Sequence, residues 1–155
     1  MAGEDTEGEI RRYLESHKVC RLAISDGNMP SAHTVYYVSK GLHIYFSSEP
    51  GSQKISILQS NPRLSLTVDE EYDDWRNIKG VQIFGSAEVK DESVSVKLRQ
   101  AFLKKFPHIK ELGGIPMHHI FVEVIPEKAY YLDFTKKFGH KTVHYIDEKA
   151  QKVTW

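Results

Sequence analysis

The stretch that decides the fold runs Ile44-Tyr45-Phe46-Ser47-Ser48-Glu49-Pro50-Gly51-Ser52-Gln53-Lys54-Ile55-Ser56-Ile57-Leu58-Gln59-Ser60-Asn61-Pro62-Arg63-Leu64-Ser65-Leu66. It opens inside a strand, because residues 42–46 are dense in apolar and aromatic side chains. Glu49-Pro50-Gly51 breaks that strand. Ser52 is placed to cap a short helix that carries Ile55 and Leu58 on one face, and Asn61-Pro62 ends it, because the residue before a proline is driven out of the helical region. From 63 to 69, Leu64, Leu66 and Val68 alternate with Arg63, Ser65 and Thr67, the period-two signature of a half-buried strand.

The same alternation extends in both directions. Thr6 and Glu9 form a capping-box pattern for a first helix ending near His17, with Ile10, Tyr13 and Leu14 at helical spacing. Residues 19–25 then form a strand, separated by Asp26-Gly27-Asn28-Met29-Pro30 from a second strand at Thr34-Val35-Tyr36-Tyr37-Val38. Lys40-Gly41 turns the chain into the strand at 42–46. Downstream, Asp69-Glu70-Glu71-Tyr72-Asp73-Asp74 is too polar for a core and reads as a solvated loop. Residues 81–89 make a fifth strand in which Gly85 marks a bulge or a close backbone approach. Val94, Leu98, Ala101, Phe102 and Phe106 recur at helical spacing, so residues 92–106 form an amphipathic helix closed by Pro107. After Gly113-Gly114, short strand-like runs appear at 119–125, 129–134 and 142–146. Many short strands, few helices and no βαβ alternation predict a mainly β architecture, an antiparallel barrel with flanking helices.

Composition narrows the function classes. At 155 residues the chain is one domain long, domains commonly running to about 100–150 residues, with a polar tail from about 147. Lys plus Arg and Asp plus Glu both number 21, a zero net charge that points away from nucleic acid. The apolar runs are far short of the ~20 residues that span a bilayer, and the first residues lack a charged-then-apolar leader pattern, so the expected location is the cytoplasm and no membrane partner is expected. The lone Cys20, in an apolar stretch, reads as a buried core thiol.

The opening stretch resembles the central motif of the pyridoxamine-5′-phosphate-oxidase-like superfamily, the FMN-binding split β-barrels. In that family an aromatic and a hydroxyl residue end one strand, a Ser-Arg-Lys triplet opens a helix, and an Asn-Pro-Arg turn leads into the next strand. Here those positions are Phe46, Ser47, Ser52-Gln53-Lys54 and Asn61-Pro62-Arg63, and Gly85-Ser86-Ala87-Glu88 is similar to the family's Gly-x-Ala-Glu strand end. The last third, with Tyr131-Leu132-Asp133-Phe134-Thr135 and Phe138-Gly139-His140-Lys141, looks more like the YhbP-like branch. The resemblance implies FMN as cofactor, a symmetric homodimer and a flavin-dependent oxidoreductase with an unknown small-molecule substrate or electron donor.

It also implies a set of binding residues. A flavin phosphate is a dianion that a cation, hydroxyls and helix N-terminal N–H groups hold well, which suits Ser52, Gln53 and Lys54 together with Ser47 and Ser48. Lys54 is the leading phosphate contact. His33, Thr34, Val35 and Tyr36 match the strand that the family lays along the ring and phosphate, and Gln82 stands either to hydrogen-bond the ring edge or simply to face solvent. Two positions depart from the pattern, because His33 and Gln53 stand where arginines are common. Either His33 has another task or FMN is held less tightly.

Other chemistries find little support. His118-His119 is the only paired histidine, adjacent strand residues point to opposite faces, and no nearby Cys or carboxylate completes a ligand set, so no metal site is expected. Neither a catalytic triad motif nor a Gly-rich phosphate loop is present. The alternative function is a flavin- or haem-binding sensor or carrier without turnover, since the eight histidines offer axial ligands. Phe138-Gly139-His140-Lys141 reads in two ways, as a segment reaching a partner's site or as an exposed basic turn.

Overall fold

The computed structural model describes residues 5–147, 149 and 153–155. Helix α1, Thr6–Ser16, precedes the hairpin of β1, Val19–Ser25, and β2, Pro30–Tyr36. Strands β3, Val38–Lys40, and β4, His43–Ser48, lead to helix α2, Gln53–Ser60, and strand β5, Arg63–Asp69. Strand β6, Lys79–Val89, helix α3, Glu92–Lys105, a 3₁₀ turn at Pro107–Leu112, and strands β7, Ile120–Asp133, and β8, Lys141–Tyr145, complete the order.

The strands form one antiparallel sheet in the order β2-β1-β5-β6-β7-β4-β3, with β8 added to β7. Its two edge strands, β2 and β3, are joined by Tyr37 alone. Edges that lie one residue apart in the chain lie within a few ångströms in space, so the sheet must curl, and the Tyr37 N–H donates to Lys18 O at 3.1 Å where it does. The fold is the mainly β split barrel with flanking helices that the sequence predicts.

Two apolar clusters fill it. Leu22, Ile44, Phe46, Leu66, Ile83 and Val124 line the interior beneath α1 and α2, with the buried Cys20 among them. Phe102 and Phe106 from α3 and its end cover Val38, Tyr45 and Phe121 on the outer face. Strand β4 is therefore buried on both faces. Burial pushes the Cys20 thiol up to about 12, in keeping with a core residue. Among the described residues no helix is long and apolar enough to cross a membrane.

Three sequence expectations are revised. Asp5, not Thr6, occupies the N-cap of α1, and it makes no side-chain cap bond; Thr6 lies inside the helix and is buried. The runs at 119–125 and 129–134 are one strand, because Pro126 sits at a bulge where β7 bends without ending. The end of the chain is not wholly polar: Trp155 packs edge-on against Tyr45 with ring centroids 5.0 Å apart, while 148 and 150–152, which belong to the expected polar tail, lie outside the described residues. The acidic segment after β5 is exposed apart from Tyr72 and Asp74, as its charge suggests.

Gly85 explains the bend. Phe84 is opposite Lys128 and Gly85 opposite Pro126, so Glu127 is the extra residue. A Cβ on Gly85 would clash with Ile125 O and come 2.9 Å from the Ile125 carbonyl carbon and 3.1 Å from Pro126 Cα. Gly85→Ala should therefore cost about 3 kcal/mol, an overpacking penalty against immovable backbone, and lower the melting temperature by about 10 °C. A melting temperature within about 2 °C of the parent would contradict the close approach.

On the outer face, Glu123 is buried and accepts from Tyr45 Oη at 2.6 Å, from His43 Nδ1 at 3.0 Å and from Lys90 Nζ at 3.2 Å. Burial opposes its charge, but these three partners outweigh that and hold the carboxyl at about 2 against an ordinary 4.5. A folded value below the unfolded one means that the stabilisation is complete above pH 4.5 and is lost as pH falls toward 2. Urea midpoints followed across that window should fall more steeply for the parent than for Glu123→Gln; equal slopes would show that Glu123 does not drive acid unfolding.

Candidate functional site

Strand β4 ends at Ser48, and the chain turns at once into α2. Because adjacent strand residues face opposite ways, the last two hydroxyls, Ser47 and Ser48, leave the sheet on both sides of the strand end. Ser52 caps α2 by accepting from the Ile55 N–H at 3.3 Å, and its Oγ lies 2.9 Å from Ser48 Oγ. Lys54 Nζ donates to Ser48 Oγ at 3.2 Å. Burial pushes the Lys54 amine below its ordinary value, so desolvation favours its neutral form and an arriving anion would be a welcome partner. Across the β4 edge, Ser47 Oγ is 3.4 Å from His119 Nδ1.

These groups form one wall of a cleft of about 740 Å³, together with Thr34, Val35 and Tyr36 of β2. The facing wall is apolar and comes from far along the chain: Phe102 and Phe106 of α3 and its end, Ile109 and Leu112 of the 3₁₀ turn, and Ile115. Tyr36 and Phe106 meet edge to face, with centroids 5.6 Å apart, where the two walls approach. His108 and His119 also line the cleft. Burial, the His118 charge and, more weakly, Arg99 and Lys54 push the His119 imidazole down, against the pull of Glu49.

The structure thus gathers Thr34, Val35, Tyr36, Ser47, Ser48, Ser52 and Lys54 of the sequence-predicted set into one cleft. His33 stands beside it: its Nε2 is 2.8 Å from Ser31 Oγ, and burial, then the Lys54 charge, push the imidazole down. Gln53 is the exposed first residue of α2, and Phe46 is wholly buried in the barrel interior. Gln82 lies in a different cleft of about 240 Å³, with Thr67, Tyr72 and Trp75. Sequence reasoning missed the apolar wall, whose one visible signal was the density of apolar residues, Phe106, Ile109, Leu112 and Ile115, around Pro107 and the Gly113-Gly114 loop.

Sequence reasoning also misplaced the histidine pair. His118 and His119 precede β7 in a turn closed by the His119 N–H to Pro116 O at 3.1 Å, so strand alternation does not separate them. A carboxylate does reach them: Glu49 Oε1 lies 3.6 Å from His118 Nε2.

The family model described as pyridoxamine 5′-phosphate oxidase matches residues 6–133. The chain belongs to this family. Its match takes in every element from α1 to β7, including the whole polar wall of the cleft. No curated protein matches the sequence. Among solved structures, an FAD-binding protein of Mesorhizobium loti is 26% identical, with 78% of this chain and 89% of that chain covered at a TM-score of 0.64. A conserved hypothetical protein of Mycobacterium tuberculosis is 19% identical over 84% of this chain and 86% of its own, with a TM-score of 0.73. The haem storage protein of Vibrio cholerae is 16% identical over 78% and 89% respectively, with a TM-score of 0.65. With the last two, this member of the pyridoxamine 5′-phosphate oxidase family shares the fold.

Proposed function

We propose that the protein binds FMN in this cleft and acts as a flavin-dependent oxidoreductase on a small-molecule substrate or electron donor. The observation that carries the reading is the pairing of a hydroxyl–lysine cluster at the start of α2 with an apolar wall across a cleft of about 740 Å³, inside the ~300–1,000 Å³ usual for ligand sites. The donor set fits a flavin phosphate: Lys54 supplies charge, Ser47, Ser48 and Ser52 supply hydroxyls, and the first turn of α2 directs backbone N–H groups outward. Thr34, Val35 and Tyr36 would lie along the ring, with His33 beside the phosphate end, while Phe102 and Phe106 exclude water. A bound flavin supplies hydride or electron transfer; the chain binds and orients it.

A second reading, a flavin or haem carrier without turnover, is favoured by His108 and His119, two imidazoles in the same cleft. Two solved structures of this fold are named for FAD binding and haem storage. The absorbance of the purified protein separates a flavin from a haem, and a flavin that stays oxidised when nicotinamide nucleotides are added marks a carrier.

The phosphate cluster contributes only when a phosphate is present, so FMN should bind more tightly than riboflavin. Lys54→Ala should weaken FMN about ten- to a hundredfold, from about 1.5–3 kcal/mol for a hydrogen bond to a charged group. Equal affinities for FMN and riboflavin, or an unchanged affinity in the variant, would overturn the assignment.

The reading includes a symmetric dimer. Tyr37, Tyr45 and Tyr131 are buried within the chain, but Tyr36, Trp75 and Phe138 remain 63%, 70% and 63% exposed. Large rings left in water are what a self-complementary interface covers. Phe138, Gly139, His140 and Lys141 do not line the chain's own cleft, which leaves them available to a partner's. Sedimentation of the flavin-loaded protein at micromolar concentration should give twice the 17.8 kDa chain mass, and a mass of one chain would refute the dimer.

A further inference from the structure

The turn before β7 and the loop after β4 meet at the rim of the cleft. There Glu49, His118 and His119 each offer one ligand atom, and these atoms all lie within 4.8 Å of one another. The His118 and His119 rings are 5.1 Å apart and nearly perpendicular, at 89°, so they do not stack. Glu49 Oε1 and His118 Nε2, at 3.6 Å, stand beyond hydrogen-bond length. We propose that Glu49, His118 and His119 form a binding site for a divalent transition-metal ion at the mouth of the cleft.

The chemistry of the donors decides the class of ion. Two imidazoles and one carboxylate favour zinc, cobalt, nickel or iron over magnesium and calcium, which prefer all-oxygen sites. Bonds of about 2.0–2.2 Å bring neighbouring donors to about 3–3.5 Å of one another, closer than the 4.8 Å within which the three now lie. The Glu49 and His118 side chains are 68% and 63% exposed, so rotamer adjustment about an ion meets little packing. Ser47 Oγ, 3.4 Å from His119 Nδ1, is placed to orient the least exposed of the three.

Position gives the site its meaning. Glu49 and His119 line the cleft together with Ser47 and Ser48, so an ion held there sits at the same polar end. That end has Lys54 as its amine, while His33 and Gln53 carry no fixed charge. A divalent ion at Glu49, His118 and His119 adds positive charge where an anionic ligand enters. Metal binding itself needs no flavin and is independent of the flavin assignment.

The test uses tag-free, chelator-treated protein without flavin, titrated with Zn²⁺ by calorimetry and with Co²⁺ by visible absorption. One equivalent should bind with a dissociation constant in the micromolar range. His118→Ala and Glu49→Gln should each weaken it at least tenfold and remove the cobalt d–d bands. His144→Ala removes a histidine that also faces a carboxylate, Glu7 Oε2 at 3.7 Å, and should leave binding unchanged. Circular dichroism checks that each variant folds, and exposed Glu49 gives a variant that does not depend on core packing. No binding below millimolar Zn²⁺, or one equivalent that survives both His118→Ala and Glu49→Gln, would overturn the proposal.

Discussion

Gly85 lies so close to the Ile125–Pro126 peptide that no side chain fits between β6 and β7, and the extra residue Glu127 bulges from β7 beside it. The bulge lets one strand of 14 residues serve two neighbours on the same edge: Ile120 to Val124 pair with β4, and Lys128 to Leu132 pair with β8. The position of β4 follows from that bend. So does the place where Ser47 and Ser48 leave the sheet, and with it the polar end of the cleft.

The cleft has a local half and a remote half. The local half is a strand end, a serine cap and the first turn of a helix, all within residues 47–54, and it is held by short-range hydrogen bonds among Ser48, Ser52 and Lys54. The remote half exists because α3 docks its aromatic stripe on the outer face of β3, β4 and β7. That docking is amphipathic burial of Phe102 and Phe106, and it leaves their far edges as the apolar wall. A ligand with an anionic end and a flat apolar body matches both halves at once.

Charge is distributed unevenly between the two faces of β4. On the outer face the buried Glu123 is answered by three partners, His43, Tyr45 and Lys90. At the cleft end, Lys54 donates to the Ser48 hydroxyl, and its burial makes a protonated amine costly until an anion arrives. The first arrangement stabilises the fold, and the second favours binding.

The sequence by itself determined the elements with strong local signals: the alternation of β5, the cap and stop of α2, the helical stripe of α3 and the need for glycine at 85. It also placed the serine–lysine cluster, because those residues are neighbours in the chain and their meeting requires only a turn. The sequence shows two strand-like runs where β7 is one strand, and only pairing with β6 reveals that a bulge beside Pro126 joins them. The apolar wall, the meeting of Glu49 with His118 and His119, and the separation of Gln82 from the cleft were decided by tertiary structure alone. Each depends on contacts between segments about 50 or more residues apart, or on which neighbour a strand takes, and no local pattern carries that information.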